Sequence, residues 1–104
     1  MTPNQIQTLN DGRILVGQTR ALLAATRTRY DRARLRRLLA AASFTSDPAD
    51  PALTSRLQTA AQEEAKAIRA FLAASYAHQL AVTALEAFKA DLRAQGRREA
   101  IRSL

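Results

Sequence analysis

The sequence predicts an all-α fold, an antiparallel hairpin of two long helices, and three observations support this prediction. Strong helix formers dominate the 104 residues, which include 23 alanines and 14 arginines. Glycine and proline occur only three times each. One stretch, Ser46–Pro51, combines two prolines with three capping residues. It predicts a loop at 45–50, and a loop this short places the two flanking helices antiparallel.

The apolar content limits the stability of a single hairpin. Hydrophobic residues make up 47% of the chain, but about half of them are alanine and there is no tryptophan. At roughly 25 cal/mol per Å² of buried apolar surface, a monomer with so few large apolar side chains is marginally stable. We therefore expect the hairpin to self-associate into a helical bundle or a larger assembly. The alternative fold is a compact bundle of three or four shorter helices.

The first helix is predicted over about residues 3–43, with Thr2 as its N-cap and Pro3 at its first position. A buried stripe with 3–4 spacing comprises Leu15, Val16, Thr19, Leu22, Leu23, Thr26, Tyr30 and Ala33. The turn signal Asn10–Gly12 allows a break near residue 12. After residue 34 the apolar residues shift to a different face of the helix, and Arg37 occupies the next position of the original stripe. The helix therefore either breaks near residue 34 or faces two different neighbours.

The second helix is predicted over about residues 51–95, with Asp50 as its N-cap and Gly96 as its C-terminal cap. A basic tail, 96–104, follows, and residues 1–104 form a single helical domain. The broad apolar face of this helix comprises Leu53, Leu57, Ala61, Ile68, Phe71, Leu72, Ser75, Val82 and Leu85. Apolar residues outside the two main stripes are predicted to form subunit interfaces: Leu35, Leu38, Leu39, Leu80, Phe88 and Leu92.

Positive charge is concentrated on the first helix, since residues 1–44 carry +6 of the net charge of +7. Four arginines recur every seventh residue, about 10.5 Å apart along a helix axis, which suits successive phosphates of a nucleic-acid backbone. The predicted contact set, in which the tyrosine stacks on a base, is Arg13, Arg20, Arg27, Arg29, Tyr30, Arg32, Arg34, Arg36 and Arg37. The alternative is a solvated face whose arginine stems cover the edge of the apolar stripe.

The sequence contains no pattern typical of a catalytic, cofactor or metal site. It has no cysteine, and its one histidine, His78, is interpreted as a packed residue. The glutamates Glu63, Glu64 and Glu86 are expected to pair with lysine or arginine. No apolar run reaches the roughly 20 residues that span a bilayer, and the N-terminus does not resemble a signal peptide. We therefore expect a cytoplasmic protein that is not an enzyme and has no small-molecule substrate, with signal-independent secretion left open.

The predicted loop is similar to that of a known family. Residues 48–53, PADPAL, followed by Gln58, resemble the hairpin loop of type III secretion needle subunits. This resemblance implies a small two-helix hairpin that polymerises into a tube. The present chain is longer after the loop, far more basic, and lacks an N-terminal tryptophan.

Two functional hypotheses follow from the sequence. The first is a small non-enzymatic protein that binds the backbone of DNA or RNA through its first helix, as an oligomer. The second is a structural subunit of a filament or larger assembly, or an adaptor for an acidic protein. Membrane association through a basic amphipathic helix ranks lowest, because the apolar face of the first helix lacks tryptophan and phenylalanine.

Overall fold

The fold consists of two long helices. The computed structural model describes residues 1–103, in which α1 spans Pro3–Ser46 and α2 spans Pro51–Arg102. No strand occurs in this part of the chain. The protein is therefore an all-α helical hairpin, as the sequence predicts. The alternative bundle of three or four shorter helices is wrong, because neither helix is interrupted.

Both helices begin at the caps that the sequence predicts. Thr2 Oγ1 accepts a hydrogen bond from the Gln5 amide at 3.2 Å, and Gln5 Oε1 accepts one from the Thr2 amide at 2.8 Å. This reciprocal pair is a capping box. At the start of α2, Asp50 Oδ1 accepts a hydrogen bond from the Ala52 amide at 2.9 Å. These side chains satisfy amide groups that the first turn of a helix leaves without a carbonyl partner.

The connection between the helices is shorter than predicted. Asp47–Asp50 forms a turn in which the Asp50 amide donates to the Asp47 carbonyl at 3.2 Å, and Pro48 occupies the position that favours proline. Thr45 and Ser46 were expected in the loop but extend α1 instead. Their hydroxyls donate to the carbonyls four residues earlier, at 2.8 and 3.1 Å. The predicted loop at 45–50 is therefore corrected to 47–50.

The breaks predicted in α1 near residues 12 and 34 are wrong, because the helix is continuous through both positions. Gly12 lies in the helix and faces α2, where its missing side chain leaves room for a neighbour. The change of phase after residue 34 therefore does not interrupt the helix. The inward positions continue through Arg37 to Phe44, while the apolar residues Leu35 and Leu38 stay exposed.

The predicted end of α2 at Gly96 is also wrong. The helix continues to Arg102, and none of the described glycines has the positive φ of a C-terminal cap. Gln95 Nε2 donates to Glu99 Oε1 at 3.4 Å across the glycine. Residues 97–102 are mostly good helix formers. The basic tail therefore extends α2 beyond the glycine.

The packing divides into two compact units. The first unit contains Met1–Ala21 and the chain from Tyr76 onward, and the second unit is Leu22–Ser75, which includes the turn. Each unit pairs a segment of α1 with a segment of α2. That the chain forms a single helical domain stays a prediction.

The first unit contains a small apolar core. Val16, Ala81 and Leu85 are buried, and Leu9 and Val82 pack against them. The core is small because many of the inward residues are small or polar. No side chain of a large residue is fully buried in the described part of the chain.

A polar contact crosses the first unit beside this core. Thr19 Oγ1 and His78 Nδ1 lie 2.9 Å apart. The threonine hydroxyl also lies 2.9 Å from the Leu15 carbonyl and 3.1 Å from the Val16 carbonyl. This contact links the half-buried imidazole ring of His78 to α1. His78 is therefore a packed residue, as predicted.

The second unit has a regular seam, which we define as the inward positions at alternating intervals of three and four residues. The seam of α1 comprises Leu23, Thr26, Tyr30, Ala33, Arg37, Ala40 and Phe44, and that of α2 comprises Leu57, Ala60, Glu64, Ala67, Phe71 and Ala74. This seven-residue repeat is that of an antiparallel coiled coil. Ala33, Ala67 and Ala74 are buried, because an alanine lets the facing backbone come close.

Several large apolar residues lie outside the seam. Leu15, Leu22, Ile68 and Leu72 were assigned to the buried stripes, but they are 49%, 52%, 36% and 58% exposed. A two-helix contact uses only two positions in every seven. The broader stripes that the sequence predicts are therefore only partly covered within one chain.

Candidate nucleic-acid interface

The predicted arginines divide between the two units, with Arg13 and Arg20 in the first and the others in the second. The exposed members of the set are Arg13, Arg20, Arg27, Arg29, Arg32, Arg34 and Arg36. Within residues 1–103, none of these seven forms a salt bridge, and neither does the nearby Asp31. Their charge is therefore not compensated by a close carboxylate of the described chain.

Two members of the predicted set are engaged in the seam of the second unit. Arg37 Nε donates to Glu64 Oε2 in a salt bridge between the helices, in which the side chains are 34% and 20% exposed. The ring of Tyr30 stacks on that of Phe71, with centroids 6.1 Å apart and an angle of 14° between the planes. The functional groups of Arg37 and Tyr30 therefore already have partners inside the hairpin, and their contact with a nucleic acid stays a prediction.

Three of the exposed arginines line a groove on the second unit. Arg29, Arg32 and Arg36 surround a cavity of about 210 Å³. A second cavity, of about 380 Å³, shares Arg36 and Glu63 with the first and adds Arg56 from α2. We call these two neighbouring cavities the arginine groove and define it by Arg29, Arg32, Arg36 and Arg56.

The seven-residue repeat explains why these side chains meet. Arg29, Arg32 and Arg36 each directly precede a seam residue of α1, and Arg56 directly precedes a seam residue of α2. In an antiparallel pair, residues that precede seam positions lie on one side of the contact on both helices. Arg56 could not be assigned from the sequence, because its place depends on the register between the helices.

Two other arginines lie on the opposite side of the second unit. Arg27 and Arg34 each directly follow a seam residue of α1. Residues in that position lie on the side away from the arginine groove. Arg27 and Arg34 therefore do not share a surface with the arginine groove.

The arginine groove is strongly positive. Four arginines and one acidic residue, Glu63, line it. The Glu63 side chain is 51% exposed, and its carboxylate lies 3.8 Å from Lys66 Nζ. The hydroxyls of Ser55 and Thr59 also line the second cavity. Guanidinium groups present paired N–H donors that match two oxygens of one phosphate. The groove can therefore bind a polyanion through both charge and directed hydrogen bonds.

The predicted interface residues have two different environments. Leu35, Leu38, Leu39 and Leu80 are 57%, 47%, 60% and 52% exposed. Phe88 and Leu92 are half-buried at inward positions of α2 in the first unit. The hairpin itself covers part of the Phe88 and Leu92 side chains, and their role in a subunit interface stays a prediction.

Among residues 1–103, no three acidic or histidine side chains lie close enough together to hold a metal ion. Neither helix, over the same residues, has a stretch that is both long and apolar enough to cross a membrane.

Comparison with known proteins gives no relative. The sequence matches no protein-family model, and no curated protein and no solved structure is significantly similar to it. The resemblance of residues 48–58 to type III secretion needle subunits therefore rests on the loop alone and stays a prediction.

Proposed function

We propose that the protein is a small non-enzymatic binding protein that holds the phosphate backbone of a nucleic acid in the arginine groove. The observation that supports this proposal is the convergence of four arginines, from both helices, around a single carboxylate. Binding of this kind is electrostatic and largely independent of base sequence. The one aromatic residue that the sequence offered for base stacking, Tyr30, is stacked on Phe71 instead.

The proposal predicts how steeply the affinity for a nucleic acid falls as the salt concentration rises. Each phosphate of a single strand that a protein neutralises contributes about 0.7 to the slope of log affinity against log salt concentration. Four arginines in contact with phosphates therefore correspond to a slope of about −3. Because the other exposed arginines can add long-range attraction, the contribution of the groove must be measured as a difference between variants.

The experiment compares two variants that lose the same charge. Arg29→Gln/Arg32→Gln/Arg36→Gln removes three charges from the arginine groove, and Arg93→Gln/Arg97→Gln/Arg98→Gln removes three from exposed positions of α2 in the first unit. Fluorescence anisotropy with a labelled oligothymidylate is measured between about 50 and 200 mM salt. The groove variant is expected to reduce the slope by about 2, while the control retains the wild-type slope.

Two results would contradict the proposal. Equal losses of slope in the two variants would show a general charge effect without a defined site. A wild-type protein that does not bind the oligonucleotide at the lowest salt concentration would exclude backbone binding altogether.

The second candidate function is a structural subunit of an assembly, and the exposed leucines of both units support it. Leu35, Leu39 and Leu80 are more than half exposed, and exposed large apolar side chains are available for protein–protein contacts. Light scattering at low and high salt tests this candidate. A long polymer at both salt concentrations would favour it, whereas particles of small, defined mass would exclude a filament.

A further inference from the structure

The side of the second unit away from the arginine groove carries an exposed apolar patch. Its members each directly follow a seam residue, and they define what we call the apolar face: Leu38, Ala61, Ala65, Ile68 and Leu72. All five are exposed, and the three large side chains are 47%, 36% and 58% exposed. Both helices contribute to this face, so it offers a partner a broad surface.

The charges on the same side are self-complementary. Arg27, Asp31 and Arg34 also directly follow seam residues of α1. Asp31 forms no salt bridge with any residue of the described chain, although both arginines are within one helical turn of it. Two copies of this face related by a two-fold axis can place the aspartate of each copy against an arginine of the other.

The accessible surface of the chain is larger than that of a compact monomer of the same mass. The accessible surface is 7688 Å² for a mass of 11.4 kDa. A compact monomer of this mass exposes about 5,800 Å². The excess of about 1,900 Å² is larger than the roughly 800 Å² that each partner contributes to a standard interface. One dimer contact on the apolar face therefore fits within the excess.

We propose that a second copy of this chain docks on the apolar face. The dimer is two-fold symmetric, its centre is formed by Leu38, Ile68 and Leu72, and Asp31 of each copy pairs with Arg27 or Arg34 of the other. Pairing two hairpins in this way buries their apolar faces in a four-helix bundle. The inference does not depend on the proposed function, because the arginine groove is on the other side of the second unit and stays open.

The first experiment measures mass by sedimentation equilibrium without nucleic acid. The wild-type chain is expected at twice 11.4 kDa. Ile68→Gln/Leu72→Gln is expected to weaken the dimer about 100-fold, since two apolar side chains lose their buried environment. The control is Leu39→Gln, because Leu39 is 60% exposed and directly precedes a seam residue, on the groove side. Glutamine is a good helix former, so the variants retain the helicity of the wild type in circular dichroism.

Three results of this experiment would overturn the proposal. The first is a wild-type chain that remains at 11.4 kDa. The second is a dimer that Ile68→Gln/Leu72→Gln leaves intact, since the contact would then lie elsewhere. The third is equal weakening by the Leu39→Gln control.

A second experiment tests the charge pairing. Asp31→Arg makes the charges on this side all positive, and Arg27→Glu/Arg34→Glu makes them all negative. Each variant alone is expected to be mainly monomeric, because like charges then meet at the two-fold axis. An equimolar mixture is expected to form a heterodimer of wild-type strength. If the mixture dimerises no better than either variant alone, the symmetric arrangement is refuted.

Discussion

Two glycines of α1 in the first unit are expected to respond oppositely to replacement by alanine. Gly17 is exposed, and a Cβ added there meets nothing within 4 Å. A helical glycine is less favourable than alanine by about 1 kcal/mol, because its backbone loses more conformational freedom on folding. Gly17→Ala should therefore raise the free energy of unfolding by about 1 kcal/mol.

Gly12→Ala gains the same helix propensity but meets a neighbour. The new Cβ would lie 2.9 Å from Leu85 Cδ1, which is too close for two carbon atoms. Leu85 is only 8% exposed and packs with Val16 and Ala81, so it has little freedom to move. Overpacking of this kind costs about 1–3 kcal/mol. The free energy of unfolding of Gly12→Ala should therefore lie between the wild-type value and about 2 kcal/mol below it. Gly12→Ala should thus be about 1–3 kcal/mol less stable than Gly17→Ala.

Urea unfolding followed by circular dichroism measures this difference, at one protein concentration so that association contributes equally. The double variant Gly12→Ala/Leu85→Ala completes the test. Removing the leucine side chain relieves the clash, so the two changes together should cost less than the sum of their separate effects. Equal stabilisation by Gly12→Ala and Gly17→Ala would refute the close approach of the helices at Gly12.

Three further predictions concern contacts between the helices, and each is measured by urea unfolding. Glu64→Ala should cost about 1–3 kcal/mol, because it leaves its half-buried arginine partner without a counter-ion, whereas the neighbouring Glu63→Ala, at an exposed pair, should cost less than about 1 kcal/mol. Phe71→Ala should lower the free energy of unfolding by about 3 kcal/mol, since it removes the stacked ring from the seam. A loss below about 0.5 kcal/mol, which is typical of an exposed site, would contradict the stacking. Thr19→Val should cost about 1 kcal/mol through the lost contact with the histidine, and Thr26→Val should be close to neutral, because its hydroxyl bonds only to carbonyls of its own helix.

Much of the fold follows from local rules that the sequence displays directly. The fold class follows from the abundance of helix formers and from one turn with two prolines. The starts of both helices follow from Thr2 and Asp50, whose caps depend only on residues within the next turn. These features are predictable because the groups that determine them are neighbours in the chain.

The errors concern features that depend on the partner helix. Gly12 and Gly96 were interpreted as interruptions, although a glycine inside a helix is tolerated when packing requires it or when the flanking residues continue the helix. The salt bridge of Arg37 could not be predicted from the sequence, because its partner, Glu64, lies 27 residues away. Arg56 was overlooked for the same reason, since only the register between the helices brings it into the arginine groove.

The salt bridge between Arg37 and Glu64 has a consequence for how the hairpin avoids misalignment. The seam consists largely of alternating alanines and larger residues. If one helix shifted along the other by seven residues, the apolar seam residues would therefore still pack in a similar pattern. Such a slip would set Arg37 against Leu57 or Phe71 and leave the Glu64 carboxylate against an aromatic ring. A half-buried charge without a partner costs several kcal/mol. The pair thus distinguishes the correct alignment from alternatives that hydrophobic packing alone would tolerate.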